Sequence, residues 1–545
     1  MKKLKTKRNS VTKDVDKGDS LMGEYIKSNI LKFTAKKLNI KKSNVEQTVK
    51  LLDDGNTVPF IARYRKEMTG SLDEEQIRNI EEEIDYLRRL TEKKNDAAAA
   101  AEKQDKLTED LIQKLKDADT FQEVEDLHRP FKVKKKTKAA KAIQKGLQPL
   151  ADIIFSQDEN AGAPEKIAGD FVDPEKELDD IQSVLSGAED IIAGEISESA
   201  ELRKLLREYL FSKSLILSEL KNEEEAEKYR DYYDFSESIN KIPAHRILAL
   251  NRGEKEDVLR IKIEVDDNRA IKKIYDFFEI KKDQFFTQIE NAVDYAYKRL
   301  IFPSLEREIR NWLTDKAEKK AVRNFSINLK SLLMQPPLHG KRVLAIDPAF
   351  RTGCKIAVVA ENGDLLETDS IYPHQPVGKV KEAAETTSLL VKKHNVDLIV
   401  IGNGTASRET ELFVSELISE GMDVEYTIVS EAGASVYSAS KIARKEFPDL
   451  DVAIRGAISI ARRIQDPLAE LVKIDPKSLG VGMYQHDITQ KRLEKALKDV
   501  VVDAVNHVGV DLNTASAALL TYVAGISSNN ADKIIEYRKE NNKFE

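Results

Sequence analysis

Carboxylate side chains that follow short apolar runs are the residues of this 545-residue chain whose types and spacing could do chemistry. Asp347 ends the apolar run 342–346, Glu431 follows the run 424–429, and Asp466 lies on a later predicted helix. Carboxylates that meet in one cleft can hold two divalent cations about 4 Å apart, one activating water and the other stabilising the leaving oxygen. These three carboxylates are therefore candidate ligands of a metal-dependent nuclease.

The elements that must position these side chains are predicted between residues 341 and 475. The Asn362-Gly363 pair between two apolar runs is a strong signal for a β-hairpin. Alternating strands and amphipathic helices predict a mainly parallel sheet covered on both faces. A carboxylate at the end of the first strand, followed by a meander, is typical of the ribonuclease-H-like fold. The predicted strands are 342–346, 354–360, 365–370, 397–401 and 424–429, and the predicted helices are 378–394 and 408–420.

Several long motifs carry a family resemblance. DPAFRTGCKIAVV, IGNGTASRETE, VSEAGASVYSAS and RGAISIARRIQDPLAELVKIDPKSLGVGMYQHDI resemble the YqgF-type, RuvC-like domain of the Tex family of bacterial transcription accessory proteins. TVPFIARYRKEMTGSLDE, at residues 57–74, and DYYDFSESINKIPAHRILAL, at residues 231–250, also resemble that family. Because the motifs occur in the family's order, the resemblance covers nearly the whole chain.

The resemblance and the helical periodicity together predict a multidomain, predominantly α protein with one α/β ribonuclease-H-like domain. The helical part is expected to form an elongated scaffold. Family members continue into a second helix-hairpin-helix motif and an OB-fold RNA-binding domain, and the resemblance implies that this chain is truncated before both. The expected order is a disordered basic tail (1–20), a Tex-like helical region (21–335), the YqgF/RuvC-like domain (336–476), and a helical linker with a helix-hairpin-helix (477–545).

The helical region allows three finer predictions. Residues 73–103 predict a long helix, which contains five consecutive alanines and is expected to form an antiparallel hairpin with a helix near 107–116. The family resemblance implies a helix-turn-helix at 199–218. The strictly alternating stretch 258–265 predicts a small strand within this otherwise helical region.

Basic residues accumulate between Asp126 and Asp152, an interval without any acidic residue. One interpretation is contact with a phosphate backbone, which is electrostatic and independent of base sequence. The other is a solvated linker between two helical units, with Pro130 at the break. We call residues 129–145 the basic segment, and its cations are Arg129, Lys132, Lys134, Lys135, Lys136, Lys138, Lys141 and Lys145.

The C-terminal stretch 512–545 resembles a helix-hairpin-helix with a Gly525-Ile526 turn. Backbone amides of such a turn, at a helix N-terminus, suit a phosphate oxygen. Ser527 stands where the family pattern usually has a second glycine, so structural packing is the alternative interpretation. The candidate nucleic-acid-binding residues here are Gly525, Ile526, Ser527 and Lys533.

Composition restricts the remaining choices. The net charge is 88 − 95 = −7, so nucleic-acid binding must come from local basic patches. The single cysteine, Cys354, excludes an intrachain disulfide and a cysteine-rich zinc module, and is expected to be a small core residue. The N-terminus lacks the apolar region of a secretion signal, and no run of 18 apolar residues predicts a membrane span. The expected location is the cytoplasm.

Two departures from the family pattern argue against catalysis. The resemblance implies a glutamate at the end of the fourth strand, where this chain has Asn403, and Ala349 replaces a common loop glycine. The resemblance further implies a non-catalytic scaffold that works with RNA polymerase and binds RNA or DNA without sequence specificity, needing no cofactor. A divalent-metal nuclease using Mg²⁺, Asp347, Glu431 and Asp466 is the alternative. A third option is a chain that binds only protein.

Overall fold

The computed structural model describes residues 23–132, 137–158, 160–222, 226–513, 515–541 and 544. The predicted tail (1–20) and Lys134, Lys135 and Lys136 of the basic segment lie outside these residues. The chain divides into two compact units, Met1–Lys316 and Ala317–Glu545. Among the described helices, none is long and apolar enough to cross a bilayer.

The first unit is mainly helical, as the sequence predicts. Short 3₁₀ turns occur at Arg129–Phe131, Pro174–Lys176 and Ala226–Tyr232, and a π-helical turn spans Ala296–Ile301. The α-helices are α1 (Gly23–Leu38), α2 (Lys42–Asp53), α3 (Val58–Tyr64), α4 (Lys66–Thr69), α5 (Glu74–Glu102), α6 (Glu109–Asp117), α7 (Phe121–His128), α8 (Lys138–Gln144), α9 (Gln148–Ser156), α10 (Pro164–Gly169), α11 (Ile181–Glu198), α12 (Ala200–Lys213), α13 (Ala244–Lys255), α14 (Asp267–Phe277), α15 (Phe286–Tyr295) and α16 (Phe302–Leu333), the last of which continues into the second unit.

The long helix α5 confirms the prediction for 73–103 and accounts for its alanines. Asp73 starts the helix with a capping box, because its carboxylate accepts from the Gln76 backbone amide while Gln76 reaches back. Ala97 and Ala101 are buried in a cluster with residues of α6 and α7. Their small side chains allow these two helices to approach the backbone of α5 closely. The alanines are therefore a packing surface.

A small antiparallel sheet interrupts the helices of the first unit. Strands β1 (Leu215–Leu220), β2 (Asp234–Ser238) and β3 (Leu259–Glu264) pair in the order β2-β1-β3. The strand predicted at 258–265 is confirmed by β3, whose residues alternate between buried and exposed. Residues 199–218 hold one helix, α12, and then part of β1, so the helix-turn-helix expected there is wrong. A strand stands where the second helix of that motif was expected, because β1 hydrogen-bonds to both β2 and β3.

The second unit contains the predicted ribonuclease-H-like sheet. Its order is β6-β5-β4-β7-β8, with β4–β5 and β5–β6 antiparallel and β4–β7 and β7–β8 parallel. The sheet is thus mixed and not mainly parallel, because the meander contributes two antiparallel pairs. The strands are β4 (Val343–Asp347), β5 (Cys354–Val359), β6 (Leu365–Ile371), β7 (Leu398–Gly402) and β8 (Glu425–Val429).

Helices cover both faces of this sheet. Leu344 and Ile346 pack with the helices of one face, whereas Val343 and Ala345 pack with those of the other. This alternation follows from the two-residue period of a strand. The helices of this unit are α17 (Val380–His394), α18 (Ser407–Ser419), α19 (Ala434–Ala439), α20 (Lys441–Glu446), α21 (Val452–Gln465), α22 (Pro467–Leu471), α23 (Gln490–Val508), α24 (Ala517–Leu520) and α25 (Ser528–Asn541), with a 3₁₀ turn at Pro476–Ser478.

The division between the units falls inside α16, whereas the sequence predicted a boundary at the prolines near 336. The later part of α16 belongs to the second unit by its contacts. Asn328 donates to the Val481 carbonyl (2.8 Å), and the Glu318 carboxylate accepts from the backbone amide and hydroxyl of Thr489. A helix that runs past a boundary gives no composition signal there.

Candidate functional site

Asp347 and Glu431 come together at the carboxyl ends of parallel strands. Asp347 is the last residue of β4, and Glu431 follows β8, two places along the same sheet. The pKa of Asp347 is raised to about 6, mainly by burial and then by the neighbouring charge of Glu431, against a smaller opposing effect of Lys355. The two candidate carboxylates are thus electrostatic neighbours, as their strand positions predict.

Glycines make room for these carboxylates. A Cβ added at Gly404 would lie 1.7 Å from Glu431 Oε1, and one at Gly402 would lie 2.7 Å from Glu431 Oε2. On α21, a Cβ at Gly456 would lie 3.2 Å from Asp347 Oδ2. Because real Cβ atoms essentially never lie within 3.0 Å of such an atom, Gly402 and Gly404 leave the space that the Glu431 carboxylate occupies. The role of these glycines cannot be recognised from their spacing alone.

The other two candidate positions serve the backbone. Asn403 accepts the Glu431 backbone amide on Oδ1 (3.0 Å), which holds the loop after β8 against the end of β7. Asp466 is exposed and caps α22, accepting from the Ala469 amide (2.9 Å). Asp466 therefore has the role of a helix cap, and its carboxylate is engaged away from the Asp347–Glu431 pair.

Arg463 is a residue of this region that the sequence did not single out. It is 5% exposed, and its Nη1 donates to the carbonyls of Ser430 (2.7 Å) and Ala432 (2.8 Å), which flank Glu431. Desolvation lowers the pKa of Arg463, while Glu470 and Glu431 oppose that shift. Arg463 thus fixes the loop that carries Glu431 and supplies a compensating charge. Its position in an apolar helical face gives no sequence signal for this contact.

The donor set does not fit the two-ion site of a nuclease. Asp347 and Glu431 supply two carboxylates, while the Asn403 amide oxygen is used by a backbone amide and Asp466 by a helix terminus. Within the residues that the structure describes, no group of three or more His, Cys, Asp or Glu side chains is arranged to hold a metal. A hard cation such as Mg²⁺ relies on charged oxygen ligands, and two carboxylates could neutralise one such ion.

The loop after β4 is held by buried polar contacts. Cys354 is buried, as predicted, and its thiol lies 3.7 Å from the Ala349 carbonyl and 3.8 Å from the Thr410 hydroxyl. His374 shares a 2.8 Å hydrogen bond with the same hydroxyl. Burial lowers the pKa of His374 and raises that of Cys354. These groups pack the loop. A buried thiol with a raised pKa does not have the features of a reactive cysteine.

The basic segment is partly neutralised within its own unit. Lys132 pairs with Glu125, and Lys145 pairs with Glu177 (2.9 Å). Arg129 is half-buried. Lys138, at the start of α8, is exposed, and its ammonium group lies 4.9 Å from the centre of the Tyr295 ring. Lys141 is exposed, so its ammonium group can reach a partner. Of the eight predicted cations, the structure therefore favours Lys138 and Lys141 among those it describes.

The C-terminal hairpin has the predicted turn. Gly525 adopts a left-handed conformation (φ 91°) and is exposed, while the Ile526 amide donates to the Val523 carbonyl. Ser527 accepts from the Asn530 amide (3.2 Å), so its hydroxyl caps α25 and a serine suits this position. Lys533 is exposed on α25. Outside the predicted set, Asn506 of α23 clamps the turn by donating to the Tyr522 carbonyl and accepting from the Ala524 amide.

Family models match four consecutive parts of the chain. They describe a Tex-like protein N-terminal domain (28–102), a Tex central region (159–325), a Tex protein YqgF-like domain (341–465) and a helix-hairpin-helix motif (505–545). The order of these matches is the order of the motifs discussed above.

Similar proteins extend over almost the whole chain. An uncharacterized protein YdcI of Bacillus subtilis is 49% identical over 519 residues, covering 94% of this chain and 72% of the relative. Protein YhgF of Escherichia coli is 44% identical, covering 94% and 67%. The transcriptional accessory protein Tex of Neisseria gonorrhoeae is 43% identical, covering 95% and 69%. With this identity and coverage, and with the four family models in order, the chain belongs to the Tex family.

Proposed function

We propose that this protein is a nucleic-acid-binding transcription accessory factor whose ribonuclease-H-like domain acts as a scaffold without cutting. The single observation that carries the non-catalytic part is the use of Asn403 and Asp466 as backbone anchors, which leaves two carboxylates where two cations need more. The name of the gonococcal relative supports a role in transcription. The factor works in the cytoplasm with RNA polymerase as its protein partner.

Binding through the basic segment is tested by charge reversal. Lys134, Lys135, Lys136 and Lys138 are changed together to glutamate, and affinity for a duplex DNA and for RNA is measured across a salt series. Each lost phosphate contact should reduce the slope of log K against log salt by about 0.9 on duplex DNA. A matched variant reverses four exposed lysines elsewhere in the first unit, Lys213, Lys272, Lys281 and Lys282. If both variants lose the same slope, the basic segment is only a linker.

The polymerase arm is tested with purified components. The chain and core RNA polymerase from the same organism are combined and separated by size exclusion, with and without a bound nucleic acid. Co-elution without nucleic acid supports a direct protein contact. If nuclease treatment abolishes co-elution, the chain and the polymerase are joined only because both bind the same nucleic acid, and the direct contact is contradicted.

A divalent-metal nuclease is the second candidate, and one observation favours it. The pKa of Asp347 is raised partly by Glu431, and a cation between the two carboxylates would relieve that repulsion. Incubation with Mg²⁺ or Mn²⁺ and single-stranded, duplex and junction DNA or RNA should give no cleavage above background. The control Asn403→Glu adds the missing charge. Cleavage by the unmodified chain that Asp347→Asn abolishes, with the fold intact, would establish the nuclease instead.

A further inference from the structure

The motif at residues 57–74 forms an exposed cationic and aromatic surface that neither the basic segment nor the hairpin includes. Helix α3 is anchored by Val58, Ile61 and Ala62, which are buried against the Ile77 and Ile80 face of α5. The next six residues, 63–68, are all exposed, and the first buried residue after them is Thr69. The surface is thus held in place from below while it presents its side chains to solvent.

Two aromatic side chains lie on this surface, Tyr64 exposed and Phe60 half-buried beside it. Tyr64 is 54% exposed, and its ring lies 5.3 Å from that of Phe60, one helical turn earlier. The Arg65 guanidinium lies 5.2 Å from the Phe60 ring centre. Exposing a large aromatic ring to water is less favourable than burying it against a partner. Ring faces flanked by a guanidinium are suited to stacking with a planar partner.

The surrounding charge is positive although the whole chain is acidic. Residues 31–70 contain nine Lys or Arg and four Asp or Glu, a local charge of 9 − 4 = +5. Across the part of the chain described here, no carboxylate forms an ion pair with Arg63, Arg65 or Lys66. Of the four acidic residues, Asp53 pairs with Arg88, Asp54 lies in the turn after α2, and Glu67 is exposed among the cations of the surface. Of the nine basic residues, Lys37 pairs with Glu83. The cations on the surface are therefore available to an anionic partner.

We propose that residues 60–68 are a binding site for single-stranded nucleic acid, in which Tyr64 and Phe60 stack on bases while Arg63, Arg65 and Lys66 contact phosphates. This inference rests on the proposed nucleic-acid function and adds a site to it. Stacking requires bases that are not already stacked in a duplex, so the site selects single strands. Because every base has a π-face, the contact carries little sequence preference.

The stacking contact is tested by fluorescence anisotropy with 20-nucleotide oligouridylate and oligothymidylate. Tyr64→Ala should weaken binding at least about fivefold, the lower end of the effect of removing one base–aromatic contact. Tyr64→Phe keeps the ring and should bind as the unmodified chain does. Phe277→Ala, which removes an exposed aromatic of the same unit, is the matched control and should leave affinity unchanged.

The phosphate contacts are tested by reversing Arg63, Arg65 and Lys66 to glutamate. The slope of log K against log salt should fall by roughly 0.7 per contact on single strands, about 2 in total. Reversal of Lys272, Lys281 and Lys282 changes the net charge equally and should leave most of the slope. Circular dichroism and the thermal midpoint confirm that each variant is folded.

The outcomes separate this inference from the proposed function. If the unmodified chain binds no single- or double-stranded nucleic acid at low salt, both are overturned. If it binds and the variants at 63–66 bind equally well, only this site is overturned. Photo-crosslinking with 4-thiouridine in the oligonucleotide should attach to Tyr64 or Phe60. Polyglutamate that displaces the oligonucleotide from the unmodified chain and from Tyr64→Ala equally would assign the surface to an acidic protein instead.

Discussion

At the scale of single residues, Asp347 holds its proton more tightly in the folded chain than in the unfolded one. Its folded pKa of about 6 lies above the ordinary value of 3.8, chiefly because of burial and then because of Glu431. The stability that this group contributes is therefore fully present below about pH 4 and is lost as the pH rises through 6. Ionised Asp347 in the cleft therefore lowers the free energy of unfolding at neutral pH.

Replacing Asp347 by Asn should remove that cost. We expect Asp347→Asn to be more stable than the unmodified chain at pH 7.5 by about 1–2 kcal/mol, a value reduced from the full pKa difference because the side chain is partly exposed. The two proteins should converge in melting temperature below about pH 4, where Asp347 is protonated in both states. An equal difference at both pH values would show that Asp347 titrates normally.

Gly404 gives a second residue-scale prediction. Gly404→Ala places a methyl group 1.7 Å from Glu431 Oε1, so either the carboxylate must move or the loop must shift. We expect a cost of about 1–3 kcal/mol in unfolding free energy, most of which Glu431→Ala recovers in the double variant. Gly169→Ala is the control, because no atom lies within 4 Å of its added Cβ. Additive single effects would contradict the contact.

At the scale of elements, the packing of α5 depends on its small side chains. Ala101 is fully buried and Ala97 is 1% exposed, against α6 and α7. Ala101→Leu should therefore destabilise the first unit by about 1–3 kcal/mol through overpacking. Ala99→Leu, on the exposed side of the same helix, should change stability by about 0.5 kcal/mol or less. Urea unfolding of the two variants measures the difference, and equal values would mean that the alanines serve helix propensity only.

At the scale of the whole chain, buried charge joins segments far apart in sequence. Asp126 of α7 is 1% exposed and accepts from Arg203 Nε (2.7 Å) and from Arg207, both of α12. Arg207 in turn donates to Glu308 of α16 (2.5 Å). The network lies directly before the basic segment and fixes where that segment leaves α7. It is built from residues up to 182 positions apart in the chain.

Removing the central carboxylate should be costly. Asp126→Ala leaves the fully buried Arg203 without its carboxylate partner, and we expect a loss of about 3–5 kcal/mol in unfolding free energy. Asp53→Ala breaks an exposed ion pair with Arg88 in the same unit and should cost about 1 kcal/mol or less. Chemical denaturation followed by circular dichroism compares the two. Similar costs would indicate that Arg203 is hydrated despite its burial.

The sequence by itself determined the elements and the family. The Asn362-Gly363 turn, the apolar runs and the capping residue Asp73 act on neighbours within a few positions, so β4 to β8 and α5 could be predicted from local patterns. The positions of Asp347, Glu431 and Asp466 after predicted strands and on a later helix predict one shared cleft, and the structure brings the first two together. The motifs that resemble the Tex family were recognisable for the same reason, since they are contiguous stretches of sequence.

Only the tertiary structure decided what the candidate residues do. Asp466 caps α22, Asn403 binds a backbone amide, and Arg463 holds the loop around Glu431, because each partner is chosen by packing. Strand β1 follows α12 because β2 and β3 supply its hydrogen bonds from later in the chain. Local periodicity carries no information about such distant partners. The free energy of a buried polar contact depends on which residue the fold packs against it.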